Sequence, residues 1–437
     1  MPKTIVSSEL AQTLRRRLAT LTGAVLIGLV ALAFAGCADY AQKLFAIYTG
    51  SGYGWTALVV TPASFALLVY LTRRFAPEAR GSGVPQVIAA APLAAPERSP
   101  LLSLRTAVLK WLITIAALLV GASSGREGPT VQISAAAMTL VHRAFRVPLS
   151  AAVVIAGGAA GVSAAFNTPL AGVTFALEEL ASAYEQRLTL LVMAAVVISG
   201  LVSLGIAGDY LYFGSLQDVI DIGPGLIAVP VVAIAGGALG ATFSRLVLFV
   251  ADGRYAAIRA VKSHPVLFAG VCGAVVAVCG VCCGGLSWGT GYAPAKVLIE
   301  GGSEPVWFAP VKFIATLATS ISGIPGGVFA PSLSVGAGLG SLLAPLFPNL
   351  PPGSIALLGM TAYFVGVVRA PLTSTIIVME MTNSRPMLLA LLACAIIAEG
   401  VASLICREKL YHGLARGFRS RPPEPADHAG PASPEGS

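Results

Sequence analysis

Long apolar runs recur along almost the whole chain, and they limit its fold more than any other feature. A membrane-crossing helix needs roughly 20 apolar residues. Seven runs approach that length: 19–36, 55–71, 106–120, 188–207, 226–250, 266–286 and 387–405. Only 11% of the 437 residues are charged, whereas soluble domains contain about 25%. The sequence therefore predicts a polytopic, all-α membrane protein and excludes a soluble globular enzyme.

The basic residues predict how the chain is oriented. Arg15, Arg16 and Arg17 precede the first apolar run, and a second basic group at 407–421 follows the last. Because cytoplasmic flanks of membrane proteins are enriched in Lys and Arg, we expect both termini in the cytoplasm. Although the net charge is +8, the basic residues form no patch interleaved with aromatic residues. No nucleic-acid partner is therefore predicted.

A second class of apolar run is too short to cross a membrane. Most of these runs begin at a proline, which a first helical turn tolerates. Irregular backbone at membrane depth occurs only where it faces protein or a watery cavity. Five segments are therefore predicted to be half-helices that start inside the membrane: 129–140, 151–166, 169–180, 331–343 and 371–381.

Glycine- and proline-containing motifs recur in the same order about 202 to 208 residues apart. The pairs are GSGVP at 81–85 with GTGYAP at 289–294, GREGPT at 125–130 with GVFAPS at 327–332, and FNTPL at 166–170 with VRAPL at 368–372. The sequence thus predicts two related halves, at about 19–207 and 223–406. Broken segments at matching places in two halves indicate a transporter site near the middle of the membrane.

The loops at these motifs favour an anion as the ligand. Ser82 places a hydroxyl in a turn between two glycines, and 323–331 leads directly into a helix start. A helix N-terminus offers free N–H groups and about half a positive charge. Dipoles bind an anion without a formal cation, which keeps binding weak enough for release.

Carboxylates stand out against this background. Glu127 lies at another helix start, where an acidic residue at membrane depth costs about 3 kcal/mol and is a functional candidate. Its other interpretation is an N-terminal carboxylate that pairs with the helix dipole or with Arg126. A carboxylate at an anion site competes with the anion and leaves when protonated, so Glu127 is predicted to be both gate and proton acceptor. Glu178 and Glu179 end an apolar run; they are either solvated or, if one faces inward, part of a proton route.

The motifs GSGVP, GREGP and GGVFAP, in this order and spacing, resemble those of the CLC family of chloride channels and chloride/proton exchangers. The resemblance extends from about residue 20 to Tyr411 and is closest to bacterial members without C-terminal CBS domains. It implies two inverted-topology halves with broken and half-spanning helices around a mid-membrane anion site. It also implies a homodimer in the lipid bilayer, with one pore in each subunit.

The same resemblance implies a role for individual residues. Chloride would be bound by Ser82, by the backbone N–H groups of Val328 and Phe329, and by Tyr411. Glu127 would be the external gate. Glu179 lies twelve residues after Asn167, and this position implies internal proton transfer. A serine in the first motif resembles chloride-preferring members. At Gln86 relatives commonly have Glu, so a charge is missing near the internal mouth.

The predicted function is chloride transport, coupled to protons through a glutamate gate; a passive chloride channel of the same family is the alternative. No catalytic residue, metal site or cofactor is predicted, and Cys279, Cys282 and Cys283 lie inside an apolar run. A hydrolase motif around Ser123 lacks the preceding strand that a nucleophile elbow needs. A cation-coupled carrier of another family is disfavoured because paired glycine-rich helix starts suit anions.

The predicted organisation is a cytoplasmic segment at 1–18, a single transmembrane domain at 19–419 and a disordered cytoplasmic tail at 420–437. The composition of the tail, rich in Pro, Glu, Ala and Gly, is typical of disorder. The predicted location is the inner (plasma) membrane.

Overall fold

A computed structural model of the protein describes residues 2–93, 98–180, 186–208, 211–218, 220 and 222–419. The predicted tail at 420–437 lies outside these residues. Within these residues, α-helices follow one another along the chain from Pro2 to Arg419. The β-pairing in the described part of the chain is a single antiparallel bridge between Gly125 and Gly327.

The first half of the chain forms eight helices among the residues described. They are α1 (Pro2–Tyr48), α2 (Ala57–Phe75), α3 (Val84–Ala90), α4 (Leu104–Leu119), α5 (Glu127–Ala144), α6 (Ala151–Phe166), α7 (Pro169–Phe175) and α8 (Gln186–Ala207). A π-helical turn, Ala176–Leu180, continues α7.

The second half of the chain forms ten described helices. They are α9 (Ile222–Asp252), α10 (Ala256–Lys262), α11 (Pro265–Cys282), α12 (Tyr292–Ile299), α13 (Phe308–Ser322), α14 (Phe329–Leu343), α15 (Pro352–Val368), α16 (Pro371–Thr382), α17 (Leu388–Ile405) and α18 (Leu410–Arg419).

Packing repeats between the halves as the motifs do. Helices α3 to α8 correspond to α12 to α17, whose first residues lie 201 to 208 positions later. In the first half α5 packs on α6 and α6 on α8; in the second α14 packs on α15 and α15 on α17. The halves meet where α2 packs on α11 and where α7 packs on α16. The order and packing of the helices thus repeat along the chain as the motifs do.

Helix α15 is one of four members of this repeat, with α3, α12 and α13, that the apolar runs did not reveal. It is the counterpart of α6, and all of its residues from Gly353 to Val368 are buried. A helix that is apolar on every face belongs to the interior of a large bundle. The repeat offset of about 201 residues from Ala151 was the available signal.

Glycines let the central helices approach each other closely. A Cβ atom on Gly340 of α14 would lie 2.6 Å from the Cα of Ala356 in α15. A Cβ atom on Gly366 of α15 would lie 2.6 Å from the carbonyl oxygen of Gly237 in α9. Such contacts are typical of membrane helices that pack through small residues. They make α15 the centre of the second half.

The outer surface of the bundle is apolar. In the described part of the chain, six helical segments are long and apolar enough to cross a membrane: Leu10–Phe75, Leu190–Ala207, Gly225–Asp252, Pro265–Cys282, Phe329–Leu346 and Arg385–Ile405. Large side chains point outward from two of them, with Leu190 79% exposed and Leu404 84% exposed. Lipid chains suit such a surface, whereas water does not. The protein is a multi-pass membrane protein.

Candidate anion site and its carboxylates

Four helices begin inside the bundle, each without a side-chain cap on its first turn. They are α3 at Val84, α5 at Glu127, α12 at Tyr292 and α14 at Phe329. The first N–H groups of a helix have no acceptor within the helix. Because no side chain accepts from these groups at the cap positions, they remain available to an anion.

Backbone hydrogen bonds join the three predicted motifs into one structure. Gly125 and Gly327 exchange N–H···O=C bonds of 2.7 and 2.8 Å. Gly81 donates its N–H to the carbonyl of Ile324 at 3.2 Å and accepts from Gly326 at 3.1 Å. The loops of GSGVP, GREGP and GGVFAP therefore meet, although they are far apart in the sequence.

The turn at Ser82 requires its flanking glycines. Gly81 and Gly83 have φ angles of +66° and +112°, which side-chain-bearing residues rarely adopt. A Cβ atom on Gly83 would lie 3.1 Å from the carbonyl carbon of Gly128. The turn thus brings Ser82 directly against the start of α5.

Two buried side chains donate hydrogen bonds to the backbone of the loop that leads to Ser82. The Gln86 amide donates to the carbonyls of Glu78 and Arg80 at 2.9 and 2.6 Å. The Lys110 ammonium donates to the carbonyls of Ala79 and Gly81 at 2.9 and 2.7 Å. Gln86 is fully buried, and a carboxylate at this position would lack the N–H donor. The amide that stands at position 86 in place of the expected carboxylate therefore hydrogen-bonds to the loop that leads to Ser82.

Two hydroxyl groups point into the space between these loops. The Oγ of Ser82 and the OH of Tyr411 face each other, and neither has a hydrogen-bond partner outside this pair in the described part of the chain. The Tyr411 ring stacks on Phe329, the first residue of α14, at a centroid distance of 5.8 Å. Val328 is the N-cap of the same helix. All four predicted chloride-binding residues therefore converge on one place.

Glu127 lies between two helix starts. It is the first residue of α5 and is fully buried. Its Oε1 accepts a hydrogen bond from the Tyr292 hydroxyl. Its Oε2 lies over Gly125, and the carboxylate faces the backbone N–H groups of Ala330 in α14 and of Glu127 itself. The carboxylate thus occupies a position that an anion would also favour.

Arg126 has other partners than the carboxylate next to it. Its guanidinium contacts Asp39 at 2.6 Å and the carbonyl of Ala35 at 2.7 Å. It also lies over the rings of Tyr212 and Tyr292, at 4.9 and 5.7 Å from their centroids. No ion pair between Arg126 and Glu127 occurs in the part of the chain that the structure describes. The ion pair between Glu127 and Arg126 that the sequence allowed is therefore not observed among these residues.

The two adjacent carboxylates at the end of α7 have different surroundings. Glu178 accepts from the N–H groups of Leu372 and Thr373 at 3.2 and 2.7 Å, and so caps α16. Glu179 is fully buried and lies 3.6 Å from the Lys409 ammonium and 3.2 Å from His412 Nδ1. Because Glu178 is engaged as a cap, Glu179 is the carboxylate that faces inward.

Glu179 is connected both to the anion site and to solvent. Lys409 and His412 flank Tyr411 in the sequence, and their side chains are 33% and 40% exposed. The Tyr411 hydroxyl lies in the electrostatic field of both Glu179 and Glu127. The π-helical turn that carries Glu179 is a distortion often found at functional sites. Both predicted carboxylates thus lie near the Tyr411 hydroxyl.

Comparison with known proteins decides the family. The family profile described as "Voltage gated chloride channel" matches residues 63–403. The "H(+)/Cl(-) exchange transporter ClcA" of Yersinia pestis bv. Antiqua (strain Angola) is 31% identical, with 89% of this chain and 85% of that protein covered. The protein of the same name from Cronobacter sakazakii (strain ATCC BAA-894) is 32% identical, with 90% and 87% covered. The chain belongs to the voltage-gated chloride channel family.

Solved structures share the fold of this chloride channel family member. A slow cyanobacterial Cl-/H+ antiporter matches with a TM-score of 0.79 at 22% identity, and 93% of this chain and 99% of that chain are covered. A eukaryotic CLC transporter matches with a TM-score of 0.76 at 24% identity, with 92% and 74% covered. The predicted all-α, CLC-like fold is therefore confirmed.

Sequence reasoning missed two buried lysines of this family member. Lys312 lies 202 positions after Lys110, and its ammonium donates to the carbonyls of Ser287 and Gly289 at 3.0 and 2.7 Å. Both lysines thus hold the loop before a short helix, α3 in one half and α12 in the other. Lysine within an apolar segment was the available signal, because charge at membrane depth is rarely incidental.

The remaining sequence motifs are the one around Ser123 and the three neighbouring cysteines. Ser123 follows α4 rather than a strand, and its hydroxyl contacts the Thr316 hydroxyl at 3.0 Å, so it does not form a nucleophile elbow. Cys279, Cys282 and Cys283 are free thiols on or next to α11. Among the residues described, no group of three or more His, Cys, Asp or Glu side chains is placed to hold a metal ion.

Proposed function

We propose that this protein exchanges chloride for protons across the membrane. The observation that carries the proposal is the row of buried polar groups at the site: Glu127, the hydroxyls of Ser82 and Tyr411, and Glu179. Two of these groups are suited to an anion and two to a proton. The names of the curated relatives support it, because those proteins are H(+)/Cl(-) exchange transporters.

Chloride is bound by donors that carry no formal charge. The hydroxyls of Ser82 and Tyr411 and the backbone N–H groups of Val328 and Phe329 donate to it. A buried hydroxyl without a partner costs about 1–3 kcal/mol, and a bound anion removes that cost. Neutral donors hold the ion loosely enough to release it. No metal or organic cofactor takes part in this scheme.

Glu127 acts as the gate and the proton acceptor. In its charged form the carboxylate occupies the position next to the Ala330 N–H and excludes an anion from it. Protonation removes the charge, so the side chain leaves and chloride passes. Glu179 supplies the proton from the cytoplasmic side, where the exposed parts of Lys409 and His412 connect it to water.

A passive chloride channel is the alternative within the family. A channel requires only the anion site and the gate. The burial of a second carboxylate beyond Tyr411 supports exchange, because a buried acidic group without a role is costly. Glu178 has such a role as the cap of α16, whereas Glu179 lies against Lys409 and His412, whose exposed parts connect it to water.

The setting of the transporter follows from the charge distribution and the family resemblance. Both termini lie in the cytoplasm and the chain spans the inner (plasma) membrane, as the arginines at 15–17 support. The protein is a homodimer with one pore in each subunit, and it is not an enzyme. Cross-linking in native membranes would give a doubled mass; a monomer alone would contradict the assembly.

Coupling is tested in vesicles that contain the purified protein. A chloride gradient is imposed at equal pH on both sides, and a pH electrode follows the external solution. Outward chloride movement is expected to drive protons inward, so the external pH rises. If chloride leaves without uphill proton movement, the exchanger is replaced by the channel.

A further inference from the structure

The GxG turn occurs twice, and its two copies hold their polar side chains differently. In the first copy the Ser82 hydroxyl faces the Tyr411 hydroxyl and has no other partner in the residues described. In the second copy the equivalent Thr290 hydroxyl donates to Oε1 of Gln42 at 3.0 Å. The polar group that the second copy offers to the site is instead Tyr292, two residues later. Its hydroxyl donates to Oε1 of Glu127.

The Tyr292 ring is fixed by its neighbours. Tyr212 stacks on it with a centroid distance of 4.9 Å and an interplanar angle of 20°. Phe213 packs edge-on at 5.1 Å, and the Arg126 guanidinium lies 5.7 Å from the ring centroid. A ring held on three sides presents its hydroxyl in one direction. The contact with Glu127 is therefore built into the packing around α12.

Arg126 links this packing to the outer end of α1. Its ion pair with Asp39 is 2.6 Å long, and the Asp39 side chain is 53% exposed. Asp39 and Tyr292 both line an open cleft of about 1150 Å³ between the end of α1 and the loop at 284–294. The cleft reaches the Tyr292 side chain, and the hydroxyl of this side chain donates a hydrogen bond to the Glu127 carboxylate.

We propose that Tyr292 is a positioning residue that latches the Glu127 carboxylate in its blocking position at the external end of the pathway. The hydroxyl donates to the charged carboxylate and so stabilises the closed gate. A hydrogen bond to a charged group is stronger than one between neutral groups. The proposal rests on the proposed role of Glu127 as a gate, and it adds a second residue that sets how easily the gate opens.

Other charged and titratable groups face this pair. Arg126 lies at the start of α5, Tyr212 in the loop before α9, Tyr411 on α18 and Lys312 on α13, while Asp39 of α1 acts through Arg126. A Tyr292→Phe variant keeps the ring and leaves all these groups in place. It removes only the donor to Glu127.

The test measures chloride efflux from vesicles over a series of external pH values. In the parent protein, efflux falls as pH rises because the charged gate closes. Without the Tyr292 donor the closed form is less stable, so the midpoint of this profile moves to higher pH by about one unit. Efflux near pH 7.5 rises roughly three- to tenfold, the corresponding change for a gate that is largely closed.

Two further proteins make the result decisive. Tyr363→Phe removes another buried hydroxyl, one without a partner in the described residues, and its profile should match the parent. The double variant Tyr292→Phe, Glu127→Gln should match Glu127→Gln alone, because the latch then has no carboxylate to hold. At about pH 3, where an ordinary glutamic acid is mostly neutral, the parent and Tyr292→Phe should give equal efflux if both are folded.

The proposal is overturned if the midpoint of Tyr292→Phe equals that of the parent. It is also overturned if the same change in efflux persists with Gln at position 127, since Tyr292 would then act on another group. A parent protein that moves chloride without protons would instead reject the proposed exchange, and the efflux profiles would still test the latch.

Discussion

At the scale of single residues, three buried oxygen atoms carry the functional argument. They are the Ser82 Oγ and the Tyr411 hydroxyl, which face each other and have no other partner in the described part of the chain, and the Glu127 Oε2, which lies near N–H groups at two helix starts. Folded proteins pair nearly all buried polar groups. Two hydroxyls without an outside acceptor, next to helix starts, indicate that an anion, or the carboxylate that replaces it, completes the site.

The Tyr411 hydroxyl should contribute directly to chloride affinity. Tyr411→Phe keeps the ring that stacks on Phe329 but removes one donor to the anion. We expect chloride affinity to fall by about tenfold, the magnitude of a hydrogen bond to a charged group. Calorimetric titration of the purified protein with chloride measures it. Tyr363→Phe is the matched control, and equal affinity in both variants would remove Tyr411 from the site.

Substitution of Glu127 should separate chloride transport from proton transport. Glu127→Gln has nearly the shape of the protonated carboxyl, so the gate stays neutral and chloride flux persists. Proton movement driven by a chloride gradient should disappear because Gln does not release a proton. Flux assays with a chloride electrode and a pH electrode measure both. Glu300→Gln, a change at the surface end of α12, should leave coupling intact, and continued pumping by Glu127→Gln would refute the gate.

At the scale of helices, the two halves cap each other. Glu178 at the end of α7 accepts from the first N–H groups of α16, and Glu380 in α16 accepts from Leu170 and Ala171 at 3.3 and 2.9 Å. Each carboxylate thus lies at the positive end of the opposite helix dipole. This exchange holds the two half-helices together and leaves Glu179 facing the pathway.

The two neighbouring glutamates should therefore respond differently to the same change. Glu178→Gln weakens the cap, and we expect a loss of about 1 kcal/mol in stability with proton coupling retained. Thermal unfolding in detergent and vesicle pumping measure the two effects. Glu380→Gln should behave in the same way because it is the equivalent cap. Loss of coupling in Glu178→Gln with unchanged stability would contradict these roles.

The loop before α3 should depend on the amide of Gln86. Gln86→Glu removes the N–H donor and places an acceptor against the carbonyls of Glu78 and Arg80. We expect a loss of about 2 kcal/mol in stability, since the Arg80 carbonyl loses its donor from Gln86 and the Glu78 carbonyl keeps only its bond from Gln132, together with slower chloride flux. Gln217→Glu, on an exposed loop, is the control. A Gln86→Glu protein as stable as the control would contradict the bracing role.

At the scale of the whole molecule, the repeat made most of the fold predictable. The offset between Pro129 and Pro331 recurs at Pro169 and Pro371, and each pair marks equivalent helix starts. The apolar runs alone did not reveal α15, because a helix buried on every side carries no amphipathic signature. The pairing of α7 with α16 through Glu178 was also beyond the sequence, since a cap across two halves depends on three-dimensional packing.

The candidate site was predictable where motifs are short and local. Ser82, Glu127, Val328 and Phe329 each lie within one of the glycine-rich motifs. Tyr292 was visible only as part of a repeat, because its contact with Glu127 spans 165 residues. Its functional meaning depends on aromatic packing from Tyr212 and Phe213, for which the sequence carries no pattern.

Proton pumping driven by a chloride gradient is the most direct test of the central claim, that one pathway couples both ions through two carboxylates. The parent protein and Glu179→Gln are measured side by side in vesicles, with chloride efflux and proton uptake recorded together. We predict that the parent moves protons uphill and that Glu179→Gln moves chloride alone. Chloride efflux from the parent with no proton uptake, or equal proton uptake in both proteins, would contradict the account.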